Sequence, residues 1–181
     1  MWRRLRWVLL AVIVALVAAV VTAVIVEKPT LDDDEQAVDT RWAELRDALE
    51  PRYAALEPAL ATLDAIGEAD RAVTQDLSTA LSEWTDSLDG GSAEQQAEVA
   101  NRVEAQANRL RANVYGSPRL AQSTELADAI GAFDAASPPD PLVETYNRAV
   151  RTYEDSRNDT FRRPVALVFG YGARPLFFVA N

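Results

Sequence analysis

The chain contains neither cysteine nor histidine among its 181 residues. Without cysteine it can form no disulfide, no iron–sulfur cluster and no cysteine-ligated zinc site, and it has no thiolate nucleophile. Without histidine it lacks the commonest general base and the commonest transition-metal ligand of proteins. Only carboxylates, hydroxyls and a few basic groups remain for chemistry. We therefore predict a protein that is not an enzyme and that holds no cofactor and no metal.

Positive charge is also scarce in this chain. There are 18 lysine and arginine residues against 28 aspartate and glutamate residues, which gives a formal net charge of -10 at pH 7. Lysine itself occurs once, at Lys28. Because an acidic surface repels phosphate backbones, we expect no nucleic-acid partner.

One long run of apolar residues occurs in the chain, at residues 7–26, with the sequence WVLLAVIVALVAAVVTAVIV. At a rise of about 1.5 Å per residue, a helix of this length is about 30 Å long, which matches the hydrocarbon core of a bilayer. The run is longer than the apolar region of a signal peptide, and no small-x-small cleavage site closes it before Glu27. It therefore predicts a transmembrane helix, with the lipid bilayer as its partner.

The charges beside this run predict its orientation. Three arginines lie in residues 1–6, whereas Lys28 is soon followed by the acidic run at residues 32–35. By the positive-inside rule, residues 1–6 are a basic cytoplasmic N-terminus, and residues 27–181 lie outside the cell in a single-pass protein of the cell membrane. The acidic run lacks the spacing and the glycine of a calcium loop, so we interpret it as a solvated helix start.

Residues 27–160 are predicted to form one all-α domain, since no stretch before residue 160 alternates with a period of two. The first apolar stripe has helical spacing and consists of Val38, Trp42, Leu45, Leu49, Tyr53, Leu56, Leu60 and Leu63. Pro51 and Pro58 interrupt this stripe, but it stays in phase across both. We therefore predict one long, bent helix that ends at Gly67.

Three further stripes complete the predicted domain. The second contains Val73, Leu77, Leu81, Trp84 and Leu88, and the third Val99, Val103, Ala107, Leu110 and Val114. The last lies on two segments separated by a break at residues 137–141, with Leu120, Leu126, Ile130 and Phe133 before it and Leu142 or Val143, Tyr146, Val150 and Tyr153 after it. Ser92, with Gln95 three residues later, is typical of the N-cap of the third helix. Ser117 and Asp140, each followed by proline, are the predicted N-caps of the later segments. Short turns between long stripes favour an antiparallel up-down four-helix bundle.

The C-terminal segment, residues 161–181, is apolar and aromatic but too short and too broken by glycine and proline to span a bilayer. Within it, Val165–Phe169 fits either a short helix that starts at Pro164 or a strand. One interpretation packs the segment on the end of the bundle. The other places its aromatic rings at the lipid interface. Its candidate partner-binding residues are Phe169, Tyr171, Phe177 and Phe178.

Residues 146–153, YNRAVRTY, resemble the YN-x-x-V-x-x-Y signature near the C-terminus of the LemA family. Arg52 and Pro58 correspond to an arginine and a proline of that family's first long helix, and Gly170 to the glycine of its C-terminal Gly-aromatic element. The resemblance implies a membrane-anchored antiparallel four-helix bundle whose biochemical role is essentially undefined. The family is often described with the bulk of the chain in the cytoplasm, contrary to the orientation that the flanking charges predict here.

Tyr146 and Asn147 lie in the middle of a predicted helix. They fit either a buried polar pair that bonds across the bundle or a partner-binding site. Taken together, the sequence predicts a non-catalytic scaffold or protein-interaction module of the LemA type, anchored at the membrane. The alternative is an extracytoplasmic sensor or accessory subunit that regulates another membrane protein.

Overall fold

The computed structural model describes the backbone of residues 2–68 and 71–180, and it leaves out the side chains of residues 2–5 and of most positions between 8 and 24. The predicted all-α class is confirmed, because helix makes up 80% of the chain and the described part contains no strand. Seven α-helices with antiparallel packing are described. They are α1 (Trp2–Ala54), α2 (Glu57–Ala65), α3 (Ala72–Leu88), α4 (Ala93–Gly116), α5 (Thr124–Ala135), α6 (Asp140–Asn158) and α7 (Arg163–Phe169).

Across the described residues, no helix combines the length with the continuous apolar content that a membrane crossing requires. The span predicted at residues 7–26 falls for the most part on side chains that lie outside the described set.

Contacts divide the chain into two compact units, each made of two segments. Unit 1 comprises Met1–Val38 and Ala149–Arg174, and unit 2 comprises Asp39–Arg148 and Pro175–Asn181. Helices α1 and α6 therefore contribute residues to both units. In unit 1, Leu31 of α1 packs against Val165 and Ala166 of α7.

The acidic run at residues 32–35 lies inside α1, so its interpretation as a helix start was wrong. The first glycine of the chain is Gly67, and Pro29 is the only strong helix breaker between residues 2 and 50. The missing amide hydrogen of one proline removes a single bond, and the helix continues past it. An ion pair one turn apart, Lys28 Nζ to Asp32 Oδ2 at 2.6 Å, supports the helix at this point.

The first predicted helix is interrupted, so the prediction of one long, bent helix was also wrong. α1 ends at Ala54, and α2 begins at Glu57 after a short turn. Pro58 has no amide hydrogen to donate to the carbonyl of Ala54, and its ring crowds that carbonyl. The turn uses a tighter bond instead, in which the Leu56 amide donates to the Tyr53 carbonyl at 3.0 Å.

Of the predicted helix starts, Ser92 is confirmed and Ser117 is wrong. The Ser92 hydroxyl accepts a hydrogen bond from the Gln95 amide at 3.2 Å, as an N-cap does. Ser117 is instead the C-cap of α4, a short 3₁₀ turn follows at Leu120–Gln122, and Ser123 is the N-cap of α5. α6 begins at Asp140 itself.

Unit 2 has its core between these helices. α3 packs against α4 after the tight turn at Gly90-Gly91, and α2 packs against α5. Gly91 is required at that turn, because a Cβ there would lie 2.5 Å from the carbonyl oxygen of Ser87. The largest buried apolar side chains of this unit include Trp42, Leu45, Leu49, Tyr53, Leu63, Phe133, Tyr146 and Phe177.

Candidate functional site

Residues 175–180, here called the tail segment, lie in unit 2 and belong to no helix. No strand lies beside them in the described chain, so a sheet cannot satisfy their main-chain groups. Side chains of α1, α4 and α6 bond these groups instead. The residues that do so form a groove, and we call them the groove residues: Arg52, Asn101, Glu104, Tyr146 and Asn147.

Asn147 of α6 binds both main-chain groups of Phe177. The Phe177 amide donates to Asn147 Oδ1 at 2.8 Å, and Asn147 Nδ2 donates to the Phe177 carbonyl oxygen at 2.8 Å. The same two-bond exchange joins opposite residues of antiparallel strands. Because Asn147 is buried, these bonds satisfy an amide that has little access to water. Its side chain therefore takes the place of a neighbouring strand.

Asn101 of α4 binds the other edge of the tail segment. Its Nδ2 donates to the Leu176 carbonyl oxygen at 2.7 Å, and the Phe178 amide donates to its Oδ1 at 3.1 Å. In an extended chain, the amide and carbonyl of one residue point to one side, and those of its neighbours point to the other. The two asparagines therefore hold the tail segment as an extended segment from both edges.

A buried ion pair holds the end of the tail segment. Arg52 is fully buried, and its Nε and Nη2 donate to the two carboxylate oxygens of Glu104 at 2.8 and 3.0 Å. Glu104 Oε2 also accepts from the Ala180 amide at 2.8 Å, and Arg52 Nη2 donates to the Ala180 carbonyl oxygen at 3.2 Å. The remaining nitrogen of Arg52, Nη1, donates to the Phe133 carbonyl oxygen at 2.7 Å. Both charges are thus compensated inside the unit.

One aromatic side chain anchors the tail segment. The Phe177 side chain is fully buried, and its ring centroid lies 6.2 Å from that of Trp42 in an edge-to-face arrangement. Trp42 also lies 5.2 Å from the ring of Tyr146, whose hydroxyl donates to the Pro175 carbonyl oxygen at 2.8 Å. Aromatic pairs at these distances are favourable beyond the area that they bury. The next side chain, Phe178, is 64% exposed, as alternation along an extended strand requires.

Burial governs the ionisation of the tyrosines beside these sites. In unit 2, burial raises the pKa of Tyr53 well above its usual value, and its hydroxyl donates to the Ala100 carbonyl oxygen at 3.2 Å. In unit 1, burial raises the pKa of Tyr153 to about 12, and its hydroxyl donates to the Gly172 carbonyl oxygen at 2.8 Å. Both hydroxyls therefore stay protonated at neutral pH and act as hydrogen-bond donors.

The groove is wider than the segment that occupies it. A cavity of about 330 Å³ lies between α4 and the tail segment in unit 2. Its lining residues are Asn101, Glu104, Ala105, Asn108, Phe178, Val179 and Ala180. This space lies beside the last three residues of the tail segment, of which Ala180 has the smallest side chain.

The six residues predicted from sequence fall in two places. Tyr146, Asn147, Phe177 and Phe178 lie in unit 2, where Asn147 bonds the main chain of Phe177 and Tyr146 bonds the Pro175 carbonyl of the same tail segment. Phe169 and Tyr171 lie in unit 1. The Phe169 ring is 46% exposed, with Lys28 Nζ 5.7 Å from its centroid, and the Tyr171 hydroxyl bonds Asp32.

The sequence did not predict that Arg52, Asn101 and Glu104 belong to this site. A signal was present for Glu104, because it follows Ala97 and Ala100 and precedes Ala107 at helical spacing, on the buried face of α4. A charged residue on an apolar face predicts a buried partner. Nothing in the local pattern identifies that partner, since it lies on another helix.

Unit 1 uses its acidic residues in ion pairs and hydrogen bonds. Arg162 Nε pairs with Glu27 at 2.8 Å, and Arg174 Nη2 pairs with Glu35 at 2.8 Å. The hydrogen bond from Lys28 lowers the pKa of Asp32. Within the described ranges, no three histidine, cysteine, aspartate or glutamate residues are placed to hold a metal ion.

Comparison with known proteins adds no family assignment: no protein-family model matches the chain, and no curated protein matches it either. The resemblance to the LemA family therefore stays a prediction from the residues that carry it.

Proposed function

We propose that this chain is a single-pass protein of the cell membrane that acts as a non-catalytic scaffold or protein-interaction module of the LemA type. Residues 7–26 form its transmembrane helix, and residues 1–6 lie in the cytoplasm. Unit 2 is an antiparallel up-down four-helix bundle that lies outside the cell. It is made of the second part of α1 with α2, of α3, of α4, and of α5 with the first part of α6. The C-terminal segment, residues 161–181, supplies apolar and aromatic contacts to the protein partner.

The exposure of apolar side chains along the start of α1 supports the anchor. Val12, Ile13 and Val14 are 53–58% exposed, and Ile25 and Val26 are 58–68% exposed. Consecutive positions on a helix are about 100° apart, so these residues face more than one side. A helical surface that is apolar on several sides suits lipid rather than water.

The observation that carries the interaction role is the groove in unit 2. A helical surface there already binds an extended segment through its main chain, with Asn147 and Asn101 on opposite edges. Extended-peptide recognition commonly derives its affinity from main-chain bonds and its specificity from side-chain pockets. The contacts are noncovalent and therefore releasable, which also favours the alternative of a sensor or accessory subunit.

The orientation has a direct test, because the chain has no cysteine of its own. Gly116→Cys adds a Cβ with no atom within 4 Å, and Arg6→Cys replaces an exposed side chain. We expect a membrane-impermeant maleimide to label Gly116→Cys in intact cells and Arg6→Cys only after lysis. The reverse pattern would place unit 2 in the cytoplasm, and labelling of both in intact cells would contradict a single span.

The interaction role is tested by photo-crosslinking in cells. Phe178 and Tyr115 are matched aromatic positions of unit 2, each 64% exposed. We expect a photoreactive phenylalanine at Phe178 to crosslink a discrete protein partner, because this ring borders the groove. The same group at Tyr115 serves as the control. Equal crosslinking at the two positions, or none at either, would contradict a partner site at the tail segment.

A further inference from the structure

We infer that the groove of unit 2 binds an extended segment of a partner protein, and that the tail segment is the resident occupant which the partner segment displaces. The partner segment carries an aromatic residue at the position of Phe177 and a large apolar residue at the position of Ala180. This inference deepens the proposed interaction function and rests on it, since it names the chemistry of the partner.

Main-chain recognition makes the groove tolerant of sequence. Within the tail segment, Asn101 and Asn147 bond amide and carbonyl groups of residues 176–178, and the pair Arg52–Glu104 bonds those of Ala180. Any chain that adopts the same extended conformation offers the same groups. The selective contact is the aromatic pocket, where a ring beside Trp42 is fully buried.

An empty groove is unfavourable, which makes exchange the expected way to open it. Without an occupant, Asn147 would lose both bonds to Phe177, and the ring of Trp42 would lose an aromatic neighbour. Buried polar groups left without partners are costly, so a second extended segment that restores these bonds replaces the first more readily than the groove stays vacant.

The cavity beside the tail segment predicts which partner segment binds the groove more tightly than the tail segment does. The space of about 330 Å³ is open to solvent, borders Val179 and Ala180, and is lined on the other side by Ala105 and Asn108 of α4. A leucine in place of Ala180 adds three carbon atoms that this space can accept. Because the space is open to solvent, these carbon atoms are buried only in part, and the expected gain is an increase in affinity of at least fivefold.

The test uses synthetic peptides and the chain truncated after Arg174 in detergent. The probe is a fluorescent peptide of residues 173–181, ARPLFFVAN. We expect it to bind the truncated chain, and its Ala180→Leu form to bind at least fivefold more tightly. If the native peptide binds as tightly as the leucine form, the groove has no preference for a large apolar residue at the position of Ala180. That result would overturn the inference that a partner segment displaces the tail segment.

Two matched peptides separate main-chain recognition from general apolar contact. N-methylation at Phe177 removes the amide hydrogen that Asn147 accepts and is expected to weaken binding at least tenfold. N-methylation at Val179 is the control, because neither asparagine bonds that amide. In the protein, Asn101→Ala is expected to weaken binding, whereas Asn113→Ala on the same helix is not, because the Asn113 side chain accepts a bond from Arg71 and lies outside the cavity lining. Equal effects within either pair would overturn the inference.

Loss of the tail segment can also unfold unit 2, and this outcome remains informative. Excess peptide is then expected to restore the helical circular dichroism signal by mass action. The full chain with Phe177→Ala, which keeps a weakened tail, is expected to bind the peptide as well. Absence of both effects overturns the groove as a peptide site. If neither effect is seen but a partner is crosslinked at Phe178, the inference fails and the proposed interaction function is still supported.

Discussion

The full chain with Val14→Arg and Ala18→Arg is expected to be released from membranes by an alkaline carbonate wash, whereas the unaltered chain stays in the pellet. Both positions lie near the middle of the predicted span and are exposed on α1. An arginine at the centre of a transmembrane helix costs about 2.5–3.5 kcal/mol, so two cost about 5–7 kcal/mol. This cost offsets most of the free energy of insertion that the valine, leucine and isoleucine residues of the span contribute. Immunoblots of pellet and supernatant measure the result.

The matched control places the same two charges elsewhere. Leu167 and Val168 of α7 are 76% and 79% exposed, and Leu167→Arg with Val168→Arg adds the same net charge outside the span. This variant is expected to stay in the pellet with the unaltered chain. Equal retention, or equal release, of the two double variants would mean that residues 7–26 do not hold the chain in the membrane.

Glu104→Ala is expected to destabilise unit 2 by about 3–5 kcal/mol, because it leaves a buried guanidinium without its counter-charge. Arg52 is fully buried and donates two hydrogen bonds to this carboxylate. The substitution also removes the acceptor of the Ala180 amide, so the tail segment loses one of its contacts. Urea unfolding in detergent, followed by near-ultraviolet circular dichroism of the buried Trp42 and Trp84, measures the loss.

Two further substitutions serve as controls for Glu104→Ala. Asp76→Ala breaks an exposed pair with Arg109, in which both side chains are about half exposed, and is expected to cost no more than about 1 kcal/mol. Glu104→Gln keeps the volume and an acceptor for the Ala180 amide while removing the charge, so an intermediate cost is expected. If Glu104→Ala costs no more than Asp76→Ala, the ion pair does not stabilise the unit.

Much of the helical organisation could be predicted because it depends on neighbours in the sequence. Apolar residues at helical spacing predicted that Trp42, Leu45, Leu49 and Tyr53 share a face, and all four are buried. The Ser92 cap could be predicted for the same reason, since its hydroxyl and the amide that it accepts from are three residues apart. The break after Ala54 was missed because the stripe keeps its phase there. The helical spacing of apolar side chains does not show whether the main-chain hydrogen bonds of the helix continue without interruption.

The candidate site could be predicted only in part. Tyr146 and Asn147 were found as polar residues in an apolar helix, and Phe177 and Phe178 as aromatic residues in an apolar tail. Nothing in the sequence predicted that Tyr146 and Asn147 lie beside Phe177 and Phe178. The bonds that join them connect positions about 30 residues apart along the chain, through an asparagine whose local context is that of any buried amide.

By itself, the sequence determined an acidic, all-α chain without cysteine or histidine, and it placed most helices by apolar period, caps and glycine. These features depend on groups within four residues of one another, so they can be read from composition and spacing. The tertiary structure alone decided that Asn101, Asn147, Arg52 and Glu104 hold the tail segment as an extended segment. These residues come together from three helices, and Arg52 lies 128 positions before the Ala180 carbonyl that it bonds. Contacts over such separations depend on how the helices pack, which no local pattern specifies.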